Sequence, residues 1–533
     1  MIYILFIGAC FYFFIKEKKS LHMLQQNLYN ENNRYMKWVT KNKKDTLFNL
    51  DLINIALLLI SLVVNQKTFS YIIGFIVLFI YALLAVTIYV DRKKEQTKKP
   101  LVVTARIKRL ILTITILFVL TLLLIIFVDQ RFFLLTVLFI SFNYYLTNIA
   151  NIINKPIEKC VYNYYKRKAK NKLKDMPNLK IIGITGSYGK TSCKNILSDI
   201  LNIKYNAMPT PKNLNTYYGL MITVNNHLTK FDDVFIAEMG AYVKGEIKGL
   251  CDLVHPKYGI LTTIGTAHLE SFGSEENIQE GKFELIESLP SDGIGVLNID
   301  DPKQVSYKIK NPNPCKIIWV GIDNNKADYY ASNIKTTRKG YTFDITFKKD
   351  KITKSFETKL LGKHNIYNIL SAVALGYEFG ISPDMLIKAV KQVAPVEHRL
   401  ELKRLGRFYQ IDDAYNSNPI GAKNALEVLS TFPGDKIVVT PGMIELGDKE
   451  EEYNREFGKQ IATISKADYV ILVGKKQTKA IYEGLLMNGF DQNNVMITND
   501  VVKAYTLING LIGKNDMYAL FENDLPDTYN ENE

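Results

Sequence analysis

Residues 180–192 form the stretch that organises the second half of this chain. They read Lys180-Ile-Ile-Gly-Ile-Thr185, followed by Gly186-Ser187-Tyr-Gly189-Lys190-Thr191-Ser192. The β-branched run predicts a short buried strand. The next residues, 193–201, predict a helix because apolar side chains recur at 196, 197, 200 and 201. In a strand–glycine loop–helix unit, backbone N–H groups hold phosphates, the lysine reaches the outer phosphates and the hydroxyl holds Mg²⁺.

The loop is an incomplete phosphate-binding motif. The first glycine of G-x-x-x-x-G-K-T falls at Ile184, so the chain has G-x-x-G-K-T-S instead. A glycine-rich turn before an ordinary helix is therefore the alternative interpretation.

Two further strand patterns place polar residues next to this loop. Residues 234–237 (VFIA) end at Glu238, and residues 258–263 (YGILTT) lead into His268. A carboxylate at the carboxyl end of a parallel strand beside a phosphate loop is placed to bind Mg²⁺, directly or through water. A lone histidine is more often structural, but His268 follows a strand that the pattern assigns to the same sheet.

Composition excludes several classes of protein. The chain has 533 residues, of which 47% are hydrophobic and 23% charged, and this excludes a disordered or collagen-like chain. Its five cysteines lack CxxC or Cys/His spacing, which argues against a disulfide scaffold or a structural zinc site. The net charge of +14 suggests either nucleic acid or an anionic membrane surface as a partner.

The distribution of apolar residues favours the membrane. Five apolar runs precede residue 155, at about 1–15, 50–64, 69–90, 110–128 and 132–150. The third and fourth are long enough to cross a bilayer core of about 30 Å. The successive connections carry eight, one, eight and one Lys or Arg, which is the alternation that the positive-inside rule requires of five spans.

This pattern predicts a multi-pass cell-membrane protein with an external N-terminus and cytoplasmic residues after 150. Buried helices of a soluble domain are the alternative. Much of the basic surplus then faces anionic lipids, and nucleic acid is not needed as a partner.

Several ordered motifs resemble the Mur ligases, which are ATP-dependent amide ligases that build cell-wall peptides. They are TGSYGKTS, PKNLNTYYG, AEMGAYVKGEI, GTAHLESFGSEENIQEGKFELIESLPSDGIGVLNIDD, LGKHNIYNILSAVAL, EHRLE and IDDAYNSNP, spread over about 180–480. The similarity is greatest to the branch that adds D-alanyl-D-alanine to UDP-N-acetylmuramoyl-tripeptide. The resemblance implies that a substrate carboxylate attacks the ATP γ-phosphate and that an amine then displaces phosphate from the acyl phosphate.

The resemblance implies a role for each matching residue at the phosphates. Lys190 would hold the β- and γ-phosphates, Thr191 and Glu238 the first Mg²⁺, and His268 a second Mg²⁺. Lys282 occupies the position where some members carry a carbamylated lysine, and a plain surface lysine is the alternative there.

The resemblance implies that a larger set of residues binds the nucleotide. Its members are Gly186, Ser187, Gly189, Lys190, Thr191, Ser192, Asn215, Asn365, Asn368, Arg399 and Asp413. Asn365 and Asn368 lie one helical turn apart and would read the adenine edge, and Asp413 would contact the ribose. Tyr415, Asn416 and Asn418 are expected on a loop that faces the substrate.

Three departures leave the substrates open. Apolar runs take the place of the family's UDP-binding domain. The branch's Gly-Asp-Met segment reads Pro441-Gly442-Met443 here, and its Lys-Gly-Ser-Arg segment is replaced by acidic residues over 521–527. We therefore expect the acceptor to be a muramoyl-peptide, a lipid-linked precursor or another carboxylate, and the amine to be D-Ala-D-Ala or a different amino compound.

We thus expect a membrane α-helical region over 1–150, a basic tether over 151–179, a central ATP-binding domain over 180–395 and a smaller doubly wound, Rossmann-like domain over 396–533. A membrane transporter or sensor driven by a phosphate-loop ATPase is one rival interpretation. A non-catalytic, ligase-derived membrane scaffold is the other.

Overall fold

The computed structural model describes residues 2–47, 50–64, 67–94, 101–337, 340–395, 397–414, 419–444, 446 and 449–523. The chain divides into two compact units, Met1–Tyr164 and Tyr165–Glu533. We call them the helical unit and the α/β unit.

Helices make up the described part of the helical unit. They are α1 (Ile2–Gln26), α2 (Arg34–Lys41), α3 (Lys43–Thr46), α4 (Leu52–Val64), α5 (Lys67–Lys94), α6 (Ala105–Phe127), α7 (Phe133–Ser141) and α8 (Asn143–Lys174), the last of which continues into the α/β unit. Their inward faces share one apolar core that includes Leu24, Val77, Ile107 and Ile140. The outward faces of α5 and α6 expose large apolar side chains, including Phe79 and Phe127.

Among the described residues, two segments are long and apolar enough to cross a membrane. They are Tyr71–Val90 and Ala105–Phe127, and they correspond to the third and fourth predicted runs. A third span is present if two consecutive segments, which meet at an angle of 92°, cross the membrane together as a single broken span. These segments are Gln130–Ser141 and Asn143–Lys174. The prediction of five spans therefore stays a prediction.

The first run differs from its prediction because its charged end is buried. The helix continues from the uncharged stretch through Lys16 and Glu17 to Gln26. Lys16 Nζ lies 2.5 Å from Asp51 Oδ2, and Glu17 Oε1 accepts a hydrogen bond of 2.6 Å from Thr147 Oγ1. These partners offset the cost of removing charges from water, so the charged residues do not end the helix.

The first sheet of the α/β unit has nine strands in the order β2-β3-β1-β4-β5-β6-β7-β8-β9. Neighbours from β2 to β7 are parallel, and β7–β8 and β8–β9 are antiparallel. The strands are β1 (Lys180–Thr185), β2 (Ala207–Pro209), β3 (Val234–Glu238), β4 (Tyr258–Leu261), β5 (Ile294–Asn298), β6 (Lys316–Gly321), β7 (Tyr329–Thr337), β8 (Gly340–Phe347) and β9 (Ile352–Thr358).

Eight helices accompany this sheet in the described chain. They are α9 (Lys190–Leu201), α10 (Tyr217–Asn226), α11 (Glu246–Val254), α12 (Leu269–Phe272), α13 (Glu275–Glu287), α14 (Pro302–Val305), α15 (Lys363–Glu378) and α16 (Pro383–Gln392). The apolar positions predicted for the helix after the phosphate loop are buried, including Ile196, Leu197 and Ile200.

The second sheet has six strands in the order β10-β11-β15-β12-β13-β14, and only β10 runs antiparallel to its neighbour. The strands are β10 (Glu401–Leu405), β11 (Phe408–Asp413), β12 (Asp435–Thr440), β13 (Tyr469–Val473), β14 (Val495–Thr498) and β15 (Met517–Glu522). The accompanying helices are α17 (Pro419–Ser430), α18 (Glu450–Thr463), α19 (Lys479–Met487) and α20 (Val501–Leu511). The two predicted α/β sheets are therefore confirmed.

The last turns of α8 pack against α10 within the α/β unit. Asn225 Nδ2 donates a hydrogen bond of 3.1 Å to the Tyr165 carbonyl, and Lys172 Nζ donates one of 3.2 Å to the Asn225 carbonyl. The segment predicted as a tether thus contains a continuous helix as far as Lys174, and its end is fixed to α10.

Candidate nucleotide and metal site

The phosphate loop lies between β1 and the N-terminus of α9, where four N–H groups have no partner within the helix. Gly186 has φ +149° and Gly189 has φ +81°, so both positions favour glycine. Lys190 Nζ donates to the carbonyls of Gly186 at 2.7 Å and Ser187 at 3.1 Å. The lysine therefore closes its own loop with bonds that a phosphate could replace.

Residues after β4 hold the loop from the other side. The Ser187 N–H donates to the Thr263 carbonyl at 2.7 Å, and the Ser187 hydroxyl lies 3.2 Å from the Gly265 carbonyl. Thr262 Oγ1 donates to the Tyr188 carbonyl at 2.6 Å. These hydrogen bonds restrain the loop, and a restrained loop loses less conformational entropy on binding.

Glu238 lies at the carboxyl end of β3, the neighbour of β1. Its Oε1 accepts hydrogen bonds from Thr191 Oγ1 at 3.1 Å and from Asn215 Nδ2 at 3.0 Å. The residue is only 1% exposed. The structure therefore brings together three predicted site residues from three separate segments.

Lys194 is a site residue that the sequence reasoning missed. It lies one turn after Lys190, is 2% exposed, and places Nζ 3.0 Å from Glu238 Oε2. A lysine spaced four residues from Lys190 and lying on the buried stripe of α9 is the signal that could have identified it.

Lys190, His268 and Lys282 share one electrostatic environment. Burial lowers the pKa of Lys282 to about 7, and the charge of Lys190 lowers it further. Burial also lowers the pKa of His268, and the charges of Lys282 and Lys190 add to this effect. The positive charges of these three basic groups repel one another, so a bound anion would stabilise the site.

Neighbouring side chains fix two of these residues. The His268 ring packs on Tyr242 with centroids 4.4 Å apart, and Lys282 Nζ donates to the Ala241 carbonyl at 3.3 Å. Lys282 is 1% exposed, so the plain surface lysine considered above is wrong.

No group of three or more His, Cys, Asp or Glu side chains that could hold a metal occurs among the described residues. Glu238 and Thr191 supply one carboxylate and one hydroxyl oxygen. This small set suits Mg²⁺, which keeps several waters and takes further ligands from substrate phosphates.

A pocket beside the start of α9 has apolar walls and a few polar groups. It is lined by Ser192, Ile196, Leu360, Leu361, Asn365, Ala394, Pro395, Arg399 and Leu400. Asn368 Nδ2 donates to Asn365 Oδ1 at 3.2 Å, and a Cβ added to Gly189 would lie 3.4 Å from Asn368 Oδ1. Asn368 therefore lies beside the phosphate loop and Asn365 lines the pocket. No site role was predicted for the aliphatic residues of the lining.

Arg399 and Asp413 come from the segment that enters the second sheet. His398 (φ 58°) and Leu400 (φ 48°) flank Arg399 in the left-handed region. The Leu400 N–H donates to Asp413 Oδ1 at 3.2 Å, and burial raises the pKa of Asp413 to about 6. Arg399 lines the pocket. The hydrogen bond of Asp413 is to the backbone at Leu400, so its predicted contact with the ribose stays a prediction.

The loops that follow β11 and β12 are described in part. Tyr415, Asn416 and Asn418 lie outside the described residues, as do Glu445, Gly447 and the segment 524–527. Gly442 has φ +87°, and the Asn523 side chain donates to its carbonyl at 2.7 Å.

Comparison with known proteins assigns both sheets to one family. Residues 184–376 match the Mur ligase middle domain, and residues 398–521 match the Mur ligase, glutamate ligase domain. Together the two matches cover more than half of the chain.

Relatives with curated names are UDP-N-acetylmuramoyl-tripeptide--D-alanyl-D-alanine ligases. That of Bacillus subtilis is 33% identical over 56% of this chain and 63% of its own length. That of Escherichia coli is 30% identical over 56% of this chain and 65% of its own length. The chain thus spans less than two thirds of the length of these relatives.

Solved structures agree with this assignment. A crystal structure of MurF from Acinetobacter baumannii has a TM-score of 0.60 at 25% identity, covering 68% of this chain and 77% of that one. MurF from Thermotoga maritima in complex with ADP has a TM-score of 0.59 at 24% identity, covering 68% and 80%, and it supports the fold. From its phosphate loop to the end of its second sheet, the chain belongs to the Mur ligase family.

Proposed function

We propose that this chain is a membrane-anchored, ATP-dependent amide ligase of cell-wall precursor synthesis. It joins an amino acid or dipeptide such as D-Ala-D-Ala to the carboxylate of a muramoyl-peptide through an acyl phosphate. The observation that carries the proposal is the convergence of Lys190, Thr191 and Glu238 on one phosphate loop, with Asn215 on the same carboxylate oxygen. The names of the relatives support this choice of substrates.

The chain's residues would position charge rather than form covalent bonds with the substrate. Lys190 would leave the loop carbonyls and bind the β- and γ-phosphates. Its charge and the loop N–H groups would stabilise the negative charge that develops as the substrate carboxylate attacks.

Mg²⁺ fits the oxygen donors beside the loop. Thr191 and Glu238 would hold the first ion, which neutralises phosphate charge when bound. His268 and a carbamylated Lys282 would hold a second. The low pKa of Lys282 supports this assignment, because carbamylation requires the neutral amine and yields an anion in place of a buried cation.

The pocket between Ser192 and Arg399 suits an adenine base. Its aliphatic residues provide apolar walls, Asn365 provides an amide group, and Asn368, bonded to Asn365, would provide a second for the base edge. Gly186, Ser187, Gly189 and Ser192 would line the phosphates, and Asp413 would bind the ribose once the two sheets close on the nucleotide.

A lipid-linked acceptor is the second candidate. It is favoured by the two segments long enough to span a membrane, which would hold the α/β unit at the cytoplasmic face of the bilayer, close to membrane lipids. A precursor confined to that surface would meet the site by lateral diffusion.

Phosphate release and product mass test these proposals. The full-length protein receives ATP, Mg²⁺ and D-Ala-D-Ala with either UDP-N-acetylmuramoyl-tripeptide or its undecaprenyl-linked counterpart. A ligated product from the UDP form supports the first candidate, and a product from the lipid form alone supports the second.

Lys190→Ala is the control for both acceptors. Products that persist in this variant would contradict the site, and product from neither acceptor in the wild-type protein would contradict the proposed substrates.

A further inference from the structure

We propose that Lys194 is a positioning residue for the metal site, acting through Glu238. The inference rests on the proposed function, because it concerns the magnesium that accompanies the nucleotide. Lys194 is a buried charged residue that has no role in the proposed phosphate chemistry.

The Nζ atom of Lys194 has two buried partners. Its Nζ lies 3.0 Å from Glu238 Oε2 and donates a hydrogen bond of 2.7 Å to the carbonyl of Lys212. Both charged residues are almost fully removed from water, at 2% and 1% exposure. A buried charge of this kind persists only where it is paired.

The pairing divides the carboxylate into two differently engaged oxygens. Lys194 occupies the side of Oε2, while Thr191 and Asn215 approach Oε1. The oxygen beside Thr191, which is the other proposed magnesium ligand, is therefore the one presented to the metal. Rotation of the carboxylate would break the ion pair.

The same lysine also fixes the segment that carries Asn215. Lys212, whose carbonyl it binds, has a left-handed backbone with φ 49°. The Asn215 carbonyl in turn accepts a hydrogen bond of 2.8 Å from the Gly240 N–H, two residues after Glu238. Lys194 thus holds α9, the segment 212–215 and the end of β3 in one arrangement.

The consequence is a metal ligand with a fixed orientation and a balanced charge. Partners that orient a ligating group typically contribute 10–100-fold to metal affinity. Removal of the lysine leaves Oε2 of Glu238 without its counter-ion, and the carboxylate is then oriented by the hydrogen bonds of Thr191 and Asn215 to Oε1. We therefore expect the variant to lose the part of its nucleotide affinity that depends on Mg²⁺.

The test measures ADP binding to the full-length protein by calorimetry, with excess Mg²⁺ and with EDTA. The readout is the factor by which Mg²⁺ strengthens ADP binding. In Lys194→Met, which keeps the length but removes the charge, we expect this factor to fall about tenfold. We expect ADP affinity in EDTA to stay within about twofold of wild type, because Lys194 contacts Glu238 and the Lys212 carbonyl rather than the phosphate loop.

A double-mutant cycle separates positioning from general support of the fold. Glu238→Gln loses the same metal effect, and Lys194→Met adds nothing in that background. Lys204→Met is the matched control, because Lys204 also donates to backbone carbonyls, those of Phe379 and Gly380, but does not contact Glu238. Thermal unfolding of each variant shows whether it folds.

Different results overturn different statements. If Lys194→Met keeps the magnesium effect, or weakens ADP binding equally with and without metal, the positioning role is wrong. An additive loss in the Glu238→Gln background also contradicts it. Absence of ADP binding in the wild-type protein would instead contradict the proposed function.

Discussion

Lys282 should react with carbon dioxide at neutral pH, and the enzyme should depend on that reaction. Its pKa of about 7, against an ordinary 10.5, leaves about half of the amine neutral at pH 7. An exposed lysine would be neutral in only about one molecule in 3,000. Addition of CO₂ to the amine forms a carbamate and releases one proton.

The pH dependence follows from the direction of the shift. The neutral amine is the reactive form, so carbamate and ligase activity should fall as the pH drops through about 7. Activity should also fall in CO₂-depleted buffer and return with bicarbonate. Product formation measured with and without bicarbonate, from pH 6 to 8, checks both effects.

Lys282→Met is the decisive variant. It should be inactive and insensitive to bicarbonate, yet it should unfold at the same temperature or higher, because it removes a buried amine whose charging burial opposes. Lys244 is the internal control, since its pKa is raised by the neighbouring Glu280 and it should not react.

Carbon-13 NMR of protein supplied with labelled bicarbonate should show a carbamate signal that Lys282→Met lacks and Lys244→Met retains. Full activity without CO₂, together with no carbamate signal, would refute the reasoning.

Three further variants test the nucleotide site and the second sheet. Lys190→Ala should lower ATP-dependent phosphate release by about 10²–10³-fold in protein that thermal unfolding shows to be folded, since the lysine would act on phosphate charge; a smaller loss would remove Lys190 from the phosphate site. Asn368→Ala should raise KM for ATP about tenfold, or about 1.4 kcal/mol, with kcat nearly unchanged; an unchanged KM would remove it from the base site. Gly484→Ala should destabilise the fold by about 1–3 kcal/mol in thermal unfolding, because the added Cβ would lie 2.1 Å from the Arg455 carbonyl oxygen. Gly510→Ala is the control for the last variant, because its Cβ would meet nothing within 4 Å, and equal effects would contradict the packing argument.

The sequence predicted the local structure around the glycine loop because short-range rules govern it. A short β-branched run, a glycine loop and a helix start must be contiguous, so the contact of Lys190 with its loop follows from spacing. Glu238 could also be placed, since the carboxyl ends of neighbouring parallel strands meet at one edge.

Residues whose role depends on tertiary contacts were harder to predict. Lys194 shares a face of α9 with Lys190, but its partner, Glu238, is evident only once β3 is placed beside α9. The aliphatic lining of the base pocket carries no motif, because any well-packed apolar residue could serve. Similarly, the first apolar run was expected at about 1–15, and the burial of Lys16 beyond it depends on distant partners, Asp51 and the Ile140 carbonyl.

Gly442 lies in the segment where this chain departs from the D-alanyl-D-alanine branch, and its backbone does not suit the residue of that branch. The D-alanyl-D-alanine branch typically has an aspartate where this chain has Gly442, but φ here is +87°, a conformation that L side chains rarely adopt. A Cβ at this position would also lie 3.0 Å from Asn454 Oδ1, which accepts the Met443 N–H. An acidic side chain at 442 would therefore require a different loop. The departure at Gly442 is therefore built into the backbone of its loop, and we expect the identity of the amine to be harder to predict from the family than that of the nucleotide.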